Sequence, residues 1–348
     1  MSNIREVARL AEVSVATVSR ALQQPERVSV KTRNKVLAAV KQAGYQPNLL
    51  AVKFRSGKSN NLVVLVPTVA NVFFARVISG MQEAAQQRRY SLLLGNTMAN
   101  DNAEIAYARL VQTSQADGLI QLRAFDPFAS LNMTTAQLPM VNACEVLDKA
   151  PCPVVTLDNR AAAAAMTEHL LSLGHRDIAM IKGPARSPLT RDRVAGYRDA
   201  LQAAGISFDE TLLYPGNFTL ESGHQAVAEL LKRPKLPTAI FCENDEMAIG
   251  AIQCLKQHGL RVPEDVSVAG FDDISFAAFS DPPLTTVAQP AEEFGRSAVN
   301  LLIDLLEQKL TLTPKVILPF KLVQRGSTGP VNAANLTEAQ PGISDAKR

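Results

Sequence analysis

From Asn61 onward the chain alternates short β-rich runs with amphipathic helical segments, and this pattern restricts that region to parallel sheets covered by helices on both faces. The runs that predict strands are Leu62–Pro67, Ser91–Gly95, Gly118–Leu122, Pro139–Ala143, Val154–Leu157, Ile178–Lys182, Ala239–Phe241 and Val266–Phe271. Helices are expected near 72–88, 102–114, 161–173, 191–204, 219–232, 245–258 and 291–307. So much α/β sequence exceeds one comfortable core, so the expected fold is two α/β lobes with a cleft between them. In open α/β sheets ligands sit beyond the carboxyl ends of the strands, which places any small-molecule site at that cleft.

The first 44 residues follow a different rule. Ile4, Val7 and Ala8 recur at helical spacing, and Ser14 is a good cap for a second helix after a break at Glu12-Val13. On that second helix Val18, Ala21 and Leu22 share a face, while Ala16, Ser19 and Arg20 lie opposite, flanked by Val15 and Thr17. A third helix is expected after Ser29, with Val36, Leu37, Val40 and Ala43 as its apolar stripe and Gly44 at its end. Three short helices, two joined by a tight turn, describe an all-α helix-turn-helix unit. The segment Asn48 to Arg55 could form about two turns of helix, too short to be stable alone in water.

Charge divides the chain in the same place. Residues 1–60 carry 11 Lys/Arg against 3 Asp/Glu, a net +8, whereas the remainder nets −5. A basic head on a mildly acidic body points to a polyanionic partner for the head alone. Hydrophobic residues make up 47%, but no apolar run approaches the roughly 20 residues that span a bilayer, so no membrane association is expected. The first twenty residues lack a signal-peptide core, which favours a cytoplasmic protein. Cys144, Cys152, Cys242 and Cys254 form no Cys-x-x-Cys pair and the four histidines have no zinc-type spacing, so buried thiols and no metal are expected.

Ordered motifs then identify the chain's resemblance. Val7-Ala8, Val13 through Leu22, Val28-Ser29, Thr32-Arg33 and Gly44-Tyr45-Gln46-Pro47-Asn48 resemble the headpiece of the LacI/GalR family of bacterial repressors. The likeness continues through Gly174-His175, Gly183-Pro184, Arg193 to Tyr197, Asn244 to Ala248, Gly270-Phe271-Asp272-Asp273 and Pro283-Leu284-Thr285-Thr286. Asn217-Phe218-Thr219, Ala239 to Cys242 and Asp281-Pro282-Pro283 are most similar to its nucleoside-responsive branch. The family implies a helix-turn-helix domain at 1–46, a hinge helix and linker at 47–60, and a two-lobed, periplasmic-binding-protein-like body at 61–328 for effector binding and dimerisation. The N-lobe would comprise about 61–158 and 288–318, the C-lobe about 159–287 and 319–328, with a disordered tail at 329–348.

The resemblance implies a homodimer on a near-palindromic operator in double-stranded DNA. On the second helix Arg20 can contact guanine in bidentate fashion, and Val15 and Ala16 offer apolar contact to bases. Ser14, Thr17 and Ser19 would bond phosphates, joined by Lys53 and Arg55 of the hinge. The bland reading of the same stripe is a solvated helix face. Phe54 stands at the position of the family's minor-groove wedge, and packing between linker and body is its alternative role. Glu12 departs from the family's usual Gly, at a position that tends to need positive φ and where a carboxylate would oppose phosphates.

For the body, the family implies an effector held by Phe73, Phe74, Arg193, Phe218, Asn244, Asp272 and Gln289. One of Phe73 and Phe74 is expected in the core, and Asp272 has an alternative role as cap for a turn near Ile274. Arg186-Ser187-Pro188-Leu189 matches no sugar or purine binder closely, leaving the effector open between a nucleoside and a sugar. Helix 76–87 would contribute to a dimer interface, and the tail carries no leucine heptads for a tetramerisation coil. The expected function is a repressor whose operator affinity is set by a small molecule, without cofactors. A periplasmic transport protein would need a signal peptide and no basic head; an enzyme would need a phosphate loop, nucleophile elbow or metal motif, and none is present in the sequence.

Overall fold

Each N-terminal helix begins on a side chain that supplies a missing backbone acceptor. Asn3 accepts from Glu6 N at the start of α1 (Ile4–Leu10), Ser14 from Thr17 N at α2 (Val15–Gln23), and Ser29 from Thr32 N at α3 (Val30–Ala43). Gly44, at φ 59°, ends α3 in the left-handed conformation that its missing Cβ permits. Residues 3–45, 58–133, 139–310 and 313–332 of this computed structural model are described. Val7, Ala11, Val18, Ala21, Val36 and Ala39 form the buried core of the three-helix unit. Leu37 departs from expectation: at 49% exposure it lies outside the α3 stripe, and Ala39 takes its place. Helical steps of 100° bring Val36, Ala39, Val40 and Ala43 to one side and turn Leu37 away from it.

The chain divides into two compact units between Ser59 and Asn60. The second unit contains two six-stranded sheets. The first has the order β11-β5-β4-β3-β1-β2, formed by β1 (Asn61–Val66), β2 (Ser91–Asn96), β3 (Gly118–Gln121), β4 (Met140–Ala143), β5 (Val154–Leu157) and β11 (Lys315–Leu318). All its neighbouring pairs are parallel. The second has the order β12-β10-β9-β8-β6-β7, formed by β6 (Ile178–Lys182), β7 (Leu213–Pro215), β8 (Ala239–Cys242), β9 (Ser267–Asp272), β10 (Thr285–Ala288) and β12 (Lys321–Val323). Only β10 and β12 pair antiparallel. The intervening helices are α4 (Val72–Gln87), α5 (Asp101–Gln112), α6 (Asn159–Ser172), α7 (Pro188–Ala203), α8 (Leu220–Leu230), α9 (Asp245–Gln257) and α10 (Ala291–Leu306). The strands β7, β10, β11 and β12 were not among the expected runs; β3, β4, β5 and β8 are as short but buried throughout, whereas each of these four carries exposed or half-buried residues and gives no continuous apolar block.

Two glycines set how closely helices approach in the first lobe. A Cβ on Gly80 of α4 would lie 2.0 Å from Glu292 O, and one on Gly295 of α10 would lie 2.1 Å from Val77 O. The helix backbones therefore touch where no side chain fits between them. Residues at the start of the expected disordered tail are instead anchored to the second lobe. Gly329 N donates to Ser267 Oγ at 3.0 Å, its carbonyl lies 3.0 Å from His175 Nε2, and Val331 N donates to Leu173 O at 3.0 Å. Backbone pairing to buried polar groups outweighs the polar composition of that stretch. All four cysteines are buried thiols. Among the described residues, no helix is long and apolar enough to cross a membrane.

Candidate functional site

The outward side of α2 carries the predicted DNA contacts. Val15, Ala16 and Arg20 are exposed and Ser19 and Thr17 are half-buried, on the helix whose Val18 and Ala21 are buried. Ser14 is held by its cap: its Oγ accepts from Thr17 N at 3.1 Å and lies 2.9 Å from Thr17 Oγ1. Both hydroxyls therefore sit at the positive end of the helix dipole, where backbone N–H groups favour an anion. Glu12 adopts φ 51°, so the turn does require the left-handed conformation. Lys35 Nζ lies 2.6 Å from Glu12 Oε2 and holds that carboxyl below its ordinary range. This pair offsets the negative charge that would otherwise oppose phosphates. Lys53, Phe54 and Arg55 lie outside the described residues.

In the body, the predicted residues converge at the carboxyl ends of β8 and β9. Arg193, buried on α7, donates from Nε to Asn159 Oδ1 at 3.0 Å and from Nη1 to the Glu243 carbonyl. Its guanidinium lies 3.6 Å from the centroid of the Phe271 ring, a close cation–π contact. Asn244 caps α9 through Met247 N and donates from Nδ2 to Phe218 O at 3.0 Å. Phe218 itself adopts φ 68° and is half-buried. Gln289 Nε2 donates to Asp272 Oδ1 at 2.6 Å, joining the last residues of β9 and the crossover to α10.

Asp272 does not cap the following turn; Asp245 Oδ2 accepts from Ile274 N at 2.8 Å instead. At φ 116° and 6% exposure, Asp272 is strained and buried, and burial pushes its carboxyl up to about 7 against the pull of Arg193. Phe73 is the core member of its pair, in edge contact with Phe294 and Phe74 at 6.2 and 5.6 Å, while Phe74 is half-buried. Arg76 is bound within its own chain, to Glu292 and to Asp273 O. The outward residues of α4, Ser79, Gln82 and Glu83, are exposed.

Sequence reasoning missed the acidic lining. Glu243 and Asp245 are fully buried, and burial raises the carboxyl pKa of both, Asp245 well above its ordinary value. Asp245 is satisfied by Ile274 N and by Thr286 Oγ1 at 2.5 Å. Among the described residues, Glu243 Oε1 and Glu246 Oε1 are buried without a hydrogen-bond partner. The available signal was the run Glu243-Asn244-Asp245-Glu246 directly after a buried strand. A cavity of about 290 Å³ opens beside the site, lined by Asp148, Asp158, Asn159, Arg191 and Lys315 among others. There Arg191 bridges the lobes to Asp148 at 2.7 and 2.8 Å. A second cavity of about 520 Å³ is lined by Val72, Leu220, Glu246, Ile274, Phe276 and Phe279 among others.

A three-helix unit with a cationic second helix, followed by a two-lobed body with a buried polar cluster at its strand ends, defines a ligand-responsive DNA-binding regulator. Residues 3–48 match the family described as bacterial regulatory proteins, lacI family, and residues 167–328 match the periplasmic binding protein-like domain. The chain is 39% identical over 328 residues to the HTH-type transcriptional repressor CytR of Escherichia coli (strain K12), covering 94% of this chain and 96% of that protein. It is 33% identical over 335 residues to the HTH-type transcriptional regulator DegA of Bacillus subtilis (strain 168), covering 95% and 99%. Among solved structures, the lac repressor dimer bound to operator and the anti-inducer ONPF is similar at TM-score 0.84 and 29% identity, covering 94% of this chain and 99% of that one. The complex of the transcriptional regulator CelR with cellobiose is similar at TM-score 0.71 and 33% identity, covering 94% and 100%. The chain belongs to the lacI family of bacterial regulatory proteins, and is a transcriptional repressor rather than an enzyme.

Proposed function

We propose that this repressor acts in the cytoplasm as a homodimer, with two α2 helices entering successive major grooves of a near-palindromic operator. Arg20 reads guanine, Val15 and Ala16 make apolar base contacts, and Ser14, Thr17 and Ser19 fix register on phosphates. Lys53 and Arg55 add hinge contacts to the backbone, and Phe54 enters the minor groove as an apolar wedge. The observation that carries this reading is the exposure of Val15, Ala16 and Arg20 together on a capped helix whose opposite side is buried.

The effector binds between the lobes against Phe74, Arg193, Phe218, Asn244, Asp272 and Gln289, with Phe73 supporting from the core. Lobe movement on binding changes the operator affinity, and by linkage operator binding changes effector affinity by the same factor. The test is a titration of the full chain with operator-containing and random DNA at fixed salt, repeated with Arg20→Ala. Equal specificity in the two proteins would overturn the assignment of α2.

A further inference from the structure

On the reading of α2 as the helix that contacts DNA, we infer that Glu12 is an electrostatic restraint on that contact. Its pair with Lys35 withholds a cation from the phosphates and holds down affinity for duplex of any sequence, while the choice between sequences stays with α2. The turn that carries Glu12 closes α1 with two bonds: Val13 N donates to Ala8 O at 3.1 Å and Glu12 N to Arg9 O at 3.2 Å, with Glu12 at φ 51°. The end of α3 repeats this turn bond for bond. Tyr45 N donates to Val40 O at 3.1 Å and Gly44 N to Lys41 O at 3.3 Å, with Gly44 at φ 59°. The same small unit thus builds one turn twice, once with the residue that takes the left-handed conformation freely and once with a residue that takes it at a cost. Nothing in the turn itself uses the carboxylate at position 12.

What the carboxylate does is bind Lys35 of α3, with Nζ 2.6 Å from its Oε2. The two side chains are 79% and 49% exposed, and pairs so open to water add little to stability. The three helices are already fixed on one another by Val7, Ala11, Val18, Ala21, Val36 and Ala39. Neither the turn nor the core therefore accounts for an acid at this position.

Charge does account for it. Residues 1–60 hold only three acids, Glu6, Glu12 and Glu26, against 11 Lys/Arg. Glu6 pairs along its own helix with Arg9 at 2.6 Å, whereas Glu12 reaches across to a different helix. The pair sets Lys35 Nζ at the turn leading into α2, two residues before the Ser14 cap, where the positive helix end favours a phosphate. With the carboxylate present the pair is neutral; without it a cation stands at that entry. One phosphate contact regained steepens the fall of log affinity with log salt by about 0.9 and tightens binding about fivefold at physiological ionic strength. A backbone contact reads no base, so the gain is the same on every sequence.

The test is titration of the full-length protein with a random-sequence duplex of roughly 30 base pairs, about three helical turns, over a series of salt concentrations. Glu12→Gln keeps the side chain's length and the strained backbone and removes only the charge. It is expected to bind the duplex about fivefold more tightly per engaged headpiece, with a salt slope steeper by about 0.9 per headpiece. The preference for the genomic fragment that the wild type retains most tightly should be unchanged. Adding Lys35→Ala to Glu12→Gln should return affinity and slope to the wild-type values. Glu12→Gly should show the same gain as Glu12→Gln, together with a raised thermal transition of the N-terminal unit, because it also relieves the backbone. An unaltered salt slope in Glu12→Gln, a gain confined to Glu12→Gly, a gain that survives Lys35→Ala, or an altered preference between sequences would each overturn the inference. Preference lost in Arg20→Ala while Glu12→Gln behaves as wild type sinks only the role of Glu12, whereas a wild type that binds no duplex in a salt-dependent way sinks the reading of α2 as well.

Discussion

Asp272 makes the stability of the ligand-free protein depend on pH in a direction opposite to that of an ordinary paired carboxylate. Its carboxyl is raised from 3.8 to about 7 by burial in the folded chain, whereas in the unfolded chain it ionises near the ordinary value. Between these values the folded state binds the extra proton, so stability falls as pH rises from about 4 to about 7 and is level beyond either end. The full difference is about 4 kcal/mol at 1.36 kcal/mol per pKa unit. Glu145, Glu243, Asp245 and Glu246, also raised by burial, add slopes of the same sign. The substitution Asp272→Asn isolates one contribution: it keeps an oxygen for Gln289 and removes the titration. Urea unfolding of wild type and variant at pH 5 and pH 8 gives the difference directly. Asp272→Asn is expected to gain about 1–3 kcal/mol relative to wild type on going from pH 5 to pH 8, where only part of the titration falls. An identical pH dependence in the two proteins would refute the assignment of a strained, ion-destabilising environment to Asp272.

Three further outcomes are expected. Arg20→Ala should lose about 1–3 kcal/mol of operator discrimination per half-site, measured by competition against random DNA, while the body's thermal transition is unchanged. Phe54→Ala should weaken operator binding in the same titration and leave effector affinity unaltered; unchanged operator affinity would favour a packing role. Gly295→Ala must separate α4 from α10 by roughly 1 Å to clear Val77 O, and should destabilise the body by about 1–3 kcal/mol in urea, with operator contacts of the headpiece unaffected.

The headpiece was largely legible because its signals are local. Ser14 and Ser29 cap within three residues of themselves, Gly44 ends its helix, and Glu12 occupies the positive-φ turn. Leu37 was misplaced because its stripe was read from apolar character, which does not distinguish a residue 100° off the buried face. Long parallel-strand runs such as Leu62 to Val66 were visible as apolar blocks, whereas Thr285–Ala288 was not. Its neighbours β9 and β12 make it a strand, and that information is not local. In the cleft, Arg193, Asn244, Asp272 and Gln289 were found by motif. The role of Asp245 at Ile274 N and the burial of Glu243 were not, because an acidic run after a strand reads equally as a solvated helix start. The close crossing at Gly80 and Gly295 depends on two helices far apart in sequence.

The basic N-terminal unit reads duplex DNA while the body takes a small ligand. The most direct measurement is binding of the full chain to fragments of its own genome in competition with random-sequence DNA at physiological ionic strength. Near-palindromic fragments are expected to be held at least about a thousandfold more tightly than random DNA, with the preference lost in Arg20→Ala. Equal retention of all fragments would contradict it.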